Sequence, residues 1–411
     1  MKKTARAPLD FSTPDLQFDG LKLSNLVQEI ETPFYLYSEK TLKDQYQTFM
    51  NAAASANIQN PIVCFALKAN PNPWLVKTLG SMGCGADTVS GGELTRALEC
   101  ELDPNKIVFS GVAKTQKEIA KAIKANILSI NVESMEEMEM VAATAKELGI
   151  KANVALRLNP KVNVITHKHI STGNKSHKFG MLSNDARALI ANKDLWQHAN
   201  LVGLSIHIGS QLTDLSATAQ AIREMVGVAN EISTPLKFLD VGGGLGIDYA
   251  MEDESKISSP EKYMQVVAEN LKGLKNHEGV ATVFEPGRYI AARCGVLVTR
   301  IVRTKTSEDY RFAIVDAGMN DFARPAIYDA HHEIYPITKA QGETFKWEVV
   351  GPICETTDCF AKGRELPSLK AGDVLVIADT GAYGRSMASH YNLRDIALEY
   401  VITNKNEILK I

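Results

Sequence analysis

The sequence predicts an α/β fold, namely an eight-stranded β/α (TIM-like) barrel joined to a second, all-β domain. Short apolar runs alternate with longer amphipathic stretches from about residue 60 to 290, which is typical of repeated strand and helix units. A polar residue closes each run, as expected for a barrel with an active site at its strand ends. The 411-residue length exceeds what one hydrophobic core usually supports, so two domains are expected.

Eight apolar runs supply the predicted barrel strands, and amphipathic segments between them supply the helices. The predicted strands are Ile62–Leu67, Gly85–Val89, Ile107–Phe109, Ile127–Val132, Val154–Leu158, Leu201–Ile208, Phe238–Val241 and Ala281–Phe284. The helix-like segments, with apolar residues at three- and four-residue intervals, include Glu93–Cys100, Lys117–Lys124, Met135–Leu148 and Ala217–Glu231. We therefore assign residues 38–293 to the barrel.

The remainder of the chain is rich in β-strand signals separated by turns. The predicted strands are Val296–Val302, Arg311–Val315, Phe345–Val350 and Val374–Ile377. The early segment Thr32–Tyr37 is also strand-like and precedes the first barrel unit, so it is a candidate to pair with this second domain. We assign residues 1–37 and 294–411 to the β-rich domain.

Composition and charge exclude several functional classes. Hydrophobic residues make up 45% and charged residues 23% of the chain, as in an ordinary globular protein. A formal net charge of −3 without a basic cluster gives no reason to expect nucleic acid or an anionic membrane as partner, so a small molecule is expected. Pro8, Asp10 and Asp15 interrupt the region where an export signal needs an apolar core, and no run approaches the roughly 20 residues of a spanning helix. These features predict a cytoplasmic protein.

The six cysteines do not form a metal-binding pattern. They lack paired CxxC spacing, and several fall in apolar strands where cysteine packs as a small hydrophobe: Cys64, Cys84, Cys100, Cys294, Cys354 and Cys359. No metal is predicted.

Polar residues lie at or near the carboxyl ends of the predicted barrel strands, where barrel active sites form. They are Lys68, Asp87, Ser110, Asn131, Arg157, His207, the glycines from Gly242, and Glu285. Lys68 closes an apolar run, and a partly desolvated amine favours the neutral form that attacks a carbonyl or an aldehyde. The alternative is a lysine that merely ends its strand in water.

Three further segments have both a functional and a structural interpretation. The run Asp240–Gly246 contains three consecutive glycines and suits either phosphate binding or a tight turn, and it does not match the dinucleotide-binding fingerprint. His207 is either a site residue or a hydrogen-bonded core histidine. Glu285 and Arg288 form either part of a site or a salt-bridged turn.

Taken together, these segments resemble the motifs of the fold-type III pyridoxal-phosphate decarboxylases over nearly the whole chain. The matching motifs, in order and spacing, are Phe65–Asn70, His207–Gln211, Gly242–Gly244 and Glu285–Arg288. The segments Cys354–Asp358 and Gly381–Gly384 are similar to the branch of that family that acts on diaminopimelate. Glu355 is the most discriminating residue, because the ornithine and arginine branches usually carry Asp after the equivalent cysteine.

The resemblance implies pyridoxal 5'-phosphate as cofactor, bound covalently through Lys68. It implies that Glu285 faces the pyridine nitrogen, that His207 stacks on the ring and that Cys354 returns a proton, so that these four are the catalytic residues. The implied phosphate-binding residues are Ser210, Gly242, Gly243, Gly244, Gly287 and Arg288, with Tyr383 near the cofactor. The implied substrate-binding residues are Arg288, Arg324, Tyr328, Glu355 and Tyr383.

The same resemblance implies the reaction and the assembly. Members of the diaminopimelate branch decarboxylate meso-2,6-diaminopimelate to L-lysine and CO₂, the last step of lysine biosynthesis. In this family Cys354 and Glu355 would enter the active site of the second subunit, so a homodimer with shared active sites is expected.

Three alternatives stay open on the sequence. A metal-dependent barrel hydrolase would use histidines that fall in apparent loops: His167, His169, His331 and His332. A non-catalytic regulator on the same fold would not need Lys68 or Cys354. A related decarboxylase acting on carboxynorspermidine, lysine or ornithine would share the cofactor residues and differ in its distal contacts.

Overall fold

The computed structural model describes residues 6–162, 178–250, 258–275, 278–339 and 342–411. The chain forms two compact units. The barrel unit comprises Tyr46–Ile247 and Ser255–Tyr289, and the β unit comprises Met1–Gln45, Asp248–Glu254 and Ile290–Ile411. The sequence assigned 38–293 to the barrel and did not indicate that residues after Ile247 return to the other unit.

Strands are numbered in chain order over the described residues. The strands are β1 Leu9–Asp10, β2 Gln17–Phe18, β3 Leu21–Lys22, β4 Phe34–Ser38, β5 Pro61–Ala66, β6 Gly85–Thr88, β7 Ile107–Phe109, β8 Ser129–Val132, β9 Ala152–Leu158, β10 Ala199–Ile206, β11 Phe238–Asp240, β12 Ala281–Phe284, β13 Gly295–Ser307, β14 Tyr310–Val315, β15 Ile334–Pro336, β16 Thr344–Val350, β17 Cys359–Pro367, β18 Val374–Ile377, β19 Leu398–Ile402 and β20 Ile408–Lys410.

The α-helices are numbered in the same way, and short 3₁₀ turns occur between several elements. The helices are α1 Leu23–Glu29, α2 Glu39–Ser55, α3 Pro73–Ser81, α4 Gly91–Glu99, α5 Gln116–Lys124, α6 Met135–Leu148, α7 Ser183–Ala191, α8 Ser216–Ala229, α9 Pro260–Leu271, α10 Arg288–Ala291 and α11 Arg324–Tyr328.

The barrel unit confirms the predicted α/β barrel. Strands β5 to β12 form a closed ring in which every neighbouring pair is parallel and β12 returns to β5. The predicted and observed bounds coincide for β7, β12 and α6. β10 was predicted to continue to Ile208 but ends at Ile206, because the chain then turns at Gly209, whose φ is +145°.

Local sequence explains where the barrel helices begin and end. The Ser134 side chain caps α6 by accepting a hydrogen bond from the Glu137 amide, and Gly149 ends the helix in the left-handed region with φ +66°. Thr115 and Glu118 form a capping box at the start of α5. These caps satisfy free backbone groups at the helix ends and so set where α5 begins and where α6 begins and ends.

The barrel interior is filled by side chains from the strands rather than left as a channel. One buried cluster consists of Cys64, Val108, Ala155, Val202, Phe238 and Val283. Cys64, Cys84, Cys100 and Cys294 are all buried free thiols. The prediction that several cysteines pack as small hydrophobes is therefore confirmed for these four.

The β unit is built on a sheet in the order β17-β16-β14-β13-β4-β19-β20, with β18 pairing β13 and β15. β4 lies antiparallel to β13 and parallel to β19, which confirms that the early strand-like segment pairs with the second domain. Leu16, Phe18, Phe34, Val298 and Val376 are among the residues of its buried core. The sequence missed β15, β17, β19 and β20 and the small sheet of β1, β2 and β3. In β17, the Lys362–Glu365 stretch is largely polar.

Within the described ranges, the protein has no helix whose length and hydropathy would let it traverse a lipid bilayer.

Candidate active site

Lys68 lies directly after β5, in a single 3₁₀ turn formed by Leu67–Ala69. Its Nζ donates a hydrogen bond to Oδ2 of Asp87, which lies in β6. Asp87 is fully buried, and its Oδ1 has no hydrogen-bond partner among the described residues. The Lys68 side chain keeps 33% of its surface exposed, so the amine lies at the strand end with a carboxylate on one side and access from outside.

The glycine run after β11 is packed so closely that side chains are excluded. A Cβ on Gly243 would lie 2.0 Å from the carbonyl oxygen of Glu285, and one on Gly242, with φ +73°, would lie 2.4 Å from that of Ile206. Gly244 has φ +99°. The amide of Gly242 donates to Oδ1 of Asp240. The result is an open backbone loop held against neighbouring strand ends.

His207 follows β10 and is held as a neutral imidazole. The Gly243 amide donates to its Nδ1 at 3.3 Å, so Nδ1 carries no proton and the ring proton is on Nε2. Burial, reinforced by the positive charges of Lys68 and Arg157, lowers the pKa of His207 well below its ordinary value. Its Nδ1 lies 3.6 Å from Oε2 of Glu285.

Glu285 follows β12 and is 5% exposed. Burial raises the pKa of this carboxyl well above its ordinary value, and the charges of Asp240 and Asp87 raise it further, while Lys68 opposes them. The sequence identified Glu285 but assigned no role to Asp240, which ends β11. The sequence signal that could have identified Asp240 is that it is a single acidic residue at the end of an apolar run.

Arg288 and Ser210 complete the same end of the barrel. Arg288, at the start of α10, is 5% exposed and donates from Nε and Nη2 to Oγ of Ser210, at 3.3 and 3.1 Å. A Cβ on Gly287 would lie 2.9 Å from Cβ of Ala69, so this turn packs against the Lys68 turn. The barrel unit thus brings together the predicted residues that follow β5, β10, β11 and β12.

The predicted substrate residues Arg324 and Tyr328 lie at the two ends of α11 in the β unit. Arg324 is 6% exposed, with Nη1 2.5 Å from Nε2 of His332 and its guanidinium 4.5 Å from the centre of the Tyr249 ring. Tyr328 is half-buried. Tyr383 follows β18 and adopts φ +55°, a left-handed conformation that is uncommon for a bulky residue.

Cys354 and Glu355 lie on an exposed loop between β16 and β17. The Cys354 amide donates to Oδ1 of Asn392 at 2.8 Å, and the Tyr391 hydroxyl donates to Oε2 of Glu355 at 3.4 Å. The loop that carries Cys354 and Glu355 is therefore held by the segment that contains Tyr391 and Asn392. Both predicted site residues are nevertheless exposed. The sequence did not identify Asn392 as a partner.

Asp358 is the central hydrogen-bond acceptor of this loop. Its Oδ1 accepts from the Met319 amide at 2.7 Å, and its Oδ2 accepts from the Ile353 amide at 2.6 Å. Burial raises the pKa of Asp358 above its ordinary value. The sequence indicated Asp358 only as the last residue of the Cys354–Asp358 motif and gave it no role. A residue that orders a loop through backbone contacts leaves no periodic signal in the sequence.

The histidines considered for a metal site have other partners. His332 contacts Arg324 and the carbonyl of Ala378, and His331 contacts Glu333 and Arg364. Among the described residues, His, Cys, Asp and Glu form no group of three or more that could hold a metal ion. His167 and His169 lie outside the described residues. Nothing in this geometry favours the hydrolase alternative.

Comparison with known proteins agrees with this arrangement. Residues 40–292 match the family model described as "Pyridoxal-dependent decarboxylase, pyridoxal binding domain". The diaminopimelate decarboxylase of Aquifex aeolicus (strain VF5) is 39% identical over 399 residues, which cover 96% of this chain and 92% of that protein.

Two solved structures are similar over almost the whole chain. Diaminopimelate decarboxylase from Helicobacter pylori, complexed with L-lysine, has a TM-score of 0.88 and 38% identity, with 95% of each chain covered. The corresponding enzyme from M. jannaschii, in co-complex with L-lysine, has a TM-score of 0.92 and 36% identity, with 99% of this chain and 95% of that one covered.

Proposed function

Because the chain belongs to the diaminopimelate decarboxylases of the pyridoxal-dependent decarboxylase family, we propose that it removes one carboxyl group from meso-2,6-diaminopimelate and releases L-lysine and CO₂. It is a carboxy-lyase that uses pyridoxal 5'-phosphate, and its reaction is the last step of lysine biosynthesis. The observation that carries this proposal is that Lys68, the neutral His207, the buried Glu285 and a loop without side chains lie together at the carboxyl ends of the barrel strands.

The barrel residues fit this cofactor chemically. Its aldehyde needs an amine, which Lys68 offers, and its ring nitrogen needs a carboxyl group, which Glu285 offers from a buried position. Its phosphate suits a loop of backbone amides, and Gly242, Gly243 and Gly244 keep this loop free of side chains because a Cβ on any of them would clash with the neighbouring backbone. When bound, pyridoxal phosphate supplies a conjugated ring that accepts the electron pair left behind as CO₂ departs.

We assign the following roles to the chain's own residues. Lys68 would hold the cofactor covalently and, once the substrate amine replaces it, can accept and donate a proton at Nζ. Glu285 would keep the proton on the ring nitrogen, and neutral His207 would pack against the ring face. The residues that would hold the phosphate are Ser210, Gly242, Gly243, Gly244, Gly287 and Arg288, and Tyr383 would contact the cofactor.

Substrate recognition follows from charge. The part of diaminopimelate that does not react carries a carboxylate and an ammonium group, which suit guanidinium and carboxylate partners respectively. We assign binding of this substrate carboxylate to Arg288 and Arg324, and binding of the ammonium group to Glu355. Tyr328 and Tyr383 would provide supporting contacts to the substrate.

We also propose a cytoplasmic homodimer in which Cys354 and Glu355 act in the active site of the second copy. Both residues are exposed on a loop that is held by Asn392 and Asp358, as expected of groups that serve a neighbouring molecule. The Cys354 thiol would return the proton to the carbon that has lost its carboxylate.

One assay tests the substrate directly. The purified protein is loaded with pyridoxal phosphate, and CO₂ release is measured in parallel from meso-diaminopimelate, ornithine, lysine and carboxynorspermidine. We expect diaminopimelate to be turned over best. Equal or faster turnover of ornithine, lysine or carboxynorspermidine would instead identify a related decarboxylase, and no turnover of any substrate would favour a non-catalytic regulator.

A mixing experiment tests the shared site. Cys354→Ala and Lys68→Ala variants, each inactive alone, are mixed and allowed to exchange subunits. If the two residues serve one site from different subunits, up to about a quarter of wild-type activity returns, because a mixed dimer has one intact site of two. Absence of any recovery in dimers that have exchanged would contradict the shared site.

A further inference from the structure

His332 is a histidine of the β unit that is almost completely buried. It lies between α11 and β15, and 1% of its surface is exposed. Its ring contacts two aromatic rings, those of Tyr249 and Phe322, and each ring centre lies 4.7 Å from that of the imidazole. These contacts restrict how the imidazole can rotate, so its two nitrogens are held toward particular partners.

The partners of the two ring nitrogens determine which nitrogen carries the proton. Nδ1 lies 2.8 Å from the carbonyl oxygen of Ala378, which only accepts hydrogen bonds. Nε2 lies 2.5 Å from Nη1 of Arg324, which only donates because a guanidinium stays protonated in proteins. His332 is therefore neutral, with its proton on Nδ1 and its lone pair on Nε2. A protonated ring would direct an N–H at the guanidinium and place two positive charges side by side.

The same contact sets the orientation of Arg324. Arg324 is 6% exposed, and its guanidinium lies over the Tyr249 ring at 4.5 Å from the ring centre. Arg324, Tyr249 and His332 all belong to the β unit. A guanidinium is planar and holds its five N–H donors in a rigid fork. One nitrogen bound to an imidazole and one face against an aromatic ring therefore fix the directions of all the donors.

A neutral acceptor holds the guanidinium without cancelling its charge. Burial raises the pKa of Asp379, and the positive charges of Arg6, Arg293 and Arg324 oppose this rise. Oδ2 of Asp379 accepts a hydrogen bond from Nη2 of Arg6 at 3.2 Å. Within this group of residues three guanidinium groups act on one carboxyl group, and His332 is uncharged. The excess of positive charge around Arg324 favours an anionic ligand.

We propose that His332 is a positioning residue that orients Arg324 toward the carboxylate at the unreacted end of the substrate. This inference rests on the proposed function, which assigns that carboxylate to Arg288 and Arg324. Ala378 directly follows β18, and its amide donates to the Glu333 carbonyl at 2.9 Å. The Ala378 carbonyl thereby links His332, and through it Arg324, to the sheet of the β unit.

The position of the proton can be measured on the wild-type protein without any substrate. Full-length protein is labelled with ¹⁵N in the rings of its nine histidines and with ¹³C at its alanine carbonyls, and solid-state NMR identifies the ring in contact with Ala378. At about pH 7.5 we expect Nδ1 to be protonated and Nε2 to be unprotonated. A proton on Nε2, protons on both nitrogens, or no such contact would overturn the proposal.

Ligand binding tests the consequence for recognition. L-Lysine keeps the carboxylate of the unreacted end, and cadaverine is the same molecule without that carboxylate. Their dissociation constants are measured by calorimetry on the protein loaded with pyridoxal phosphate. In His332→Leu the imidazole acceptor is lost, so we expect L-lysine to bind about 10- to 100-fold more weakly, the effect of losing one hydrogen bond to a charged group. Cadaverine binding should change by less than about twofold.

His332→Gln is the conservative variant. The amide oxygen and nitrogen of glutamine can replace the acceptor Nε2 and the donor Nδ1, so this variant should recover most of the affinity for L-lysine. If His332→Leu weakened both ligands equally, His332 would have only a structural role. Unchanged L-lysine binding in His332→Leu would also contradict the proposal.

A double substitution tests whether His332 acts through Arg324. Arg324→Gln and the double variant Arg324→Gln/His332→Leu should bind L-lysine equally, within about twofold, because the guanidinium that His332 orients is already absent. His331→Gln is the matched control, since this neighbouring histidine contacts Glu333 and Arg364 instead, and it should bind both ligands as wild type does. A further loss of L-lysine affinity in the double variant would show that His332 acts by another route.

The two proposals fail separately. A protein that has the expected proton on Nδ1 but neither binds L-lysine nor decarboxylates diaminopimelate would contradict the proposed function. An active enzyme whose His332→Leu variant binds L-lysine as tightly as wild type would contradict the inference alone. In steady-state kinetics, His332→Leu should raise KM for diaminopimelate more than it lowers kcat, because it weakens a contact with a part of the substrate that does not react.

Discussion

Glu285 in the barrel unit and Glu355 in the β unit are both predicted site residues, yet their surroundings are opposite. Glu285 is 5% exposed at a strand end, where burial and the charges of Asp240 and Asp87 raise its pKa. Glu355 lies on an exposed loop and accepts a hydrogen bond from the Tyr391 hydroxyl at 3.4 Å. The first is a group whose ionisation the fold controls, and the second is a group whose position the fold controls.

This difference has a physical origin. Charges away from water interact strongly because little solvent screens them, so a change at Asp240, Lys68 or His207 alters the ionisation of its neighbours. Charges on exposed loops are screened by water and salt. Substitutions in the barrel site should therefore change chemistry and pH dependence, whereas substitutions of the residues that hold the Cys354 loop, such as Asp358, should change loop order and stability.

The largest effect is expected from Lys68→Ala. The variant loses both the covalent attachment of the cofactor and a proton carrier, so kcat should fall by at least about 10²- to 10⁴-fold. CO₂ release and the absorbance band of bound cofactor measure the two losses. Lys106→Ala is the control and should stay active, because Lys106 ends the 3₁₀ turn before β7 and its Nζ donates to the Gly83 carbonyl. An unchanged absorbance band in Lys68→Ala would refute the attachment.

Glu285→Gln should have the next largest effect. Glutamine fills the same space but carries no charge to hold the ring proton, so kcat should fall by about 10²- to 10³-fold, the range for losing one electrostatic contact in a catalytic site. Steady-state kinetics with diaminopimelate measure it. Glu355→Gln is the comparison in the β unit and should raise KM more than it lowers kcat. If both variants lost kcat equally, the contrast between the two glutamates would not hold.

Asp358→Ala tests whether residues of the β unit act by holding the Cys354 loop in position. The amides of Met319 and Ile353 lose their acceptor, and each unsatisfied donor costs about 1–3 kcal/mol. The free energy of unfolding of the protein, measured with denaturant, should fall accordingly. Asp358→Asn keeps one acceptor oxygen and should lose less. A change within about 0.5 kcal/mol for alanine would show that the loop does not depend on Asp358.

The smallest effect concerns pH. The folded pKa of His207 is lowered below its unfolded value of about 6.5, so the unfolded chain binds more protons below that pH. The stability of the wild type should therefore fall, as pH decreases below about 6.5, by up to about 1.4 kcal/mol per pH unit relative to His207→Gln. Denaturant unfolding at several pH values measures the difference, and parallel curves would contradict a neutral buried His207.

The barrel could be predicted from the sequence because its signal is periodic. The apolar runs that became β7 and β12 were placed to the residue, and polar closers such as Lys68 and Glu285 mark strand ends that must meet in a closed parallel sheet. The polar edge strand β17 and the return of Asp248 to the β unit carried no such signal. Pairing with β16 places β17 in the sheet.

The amino-acid order alone determined the fold class, the lysine and the acid that close two barrel strands, and the glycines that leave the loop open, because periodicity and missing side chains are local properties. Only the tertiary structure decided that His207 is neutral, that the charge of Asp240 raises the pKa of Glu285, and that Asp358 and Asn392 hold the Cys354 loop. Those outcomes depend on desolvation and on contacts between residues far apart in the chain, which no local pattern records.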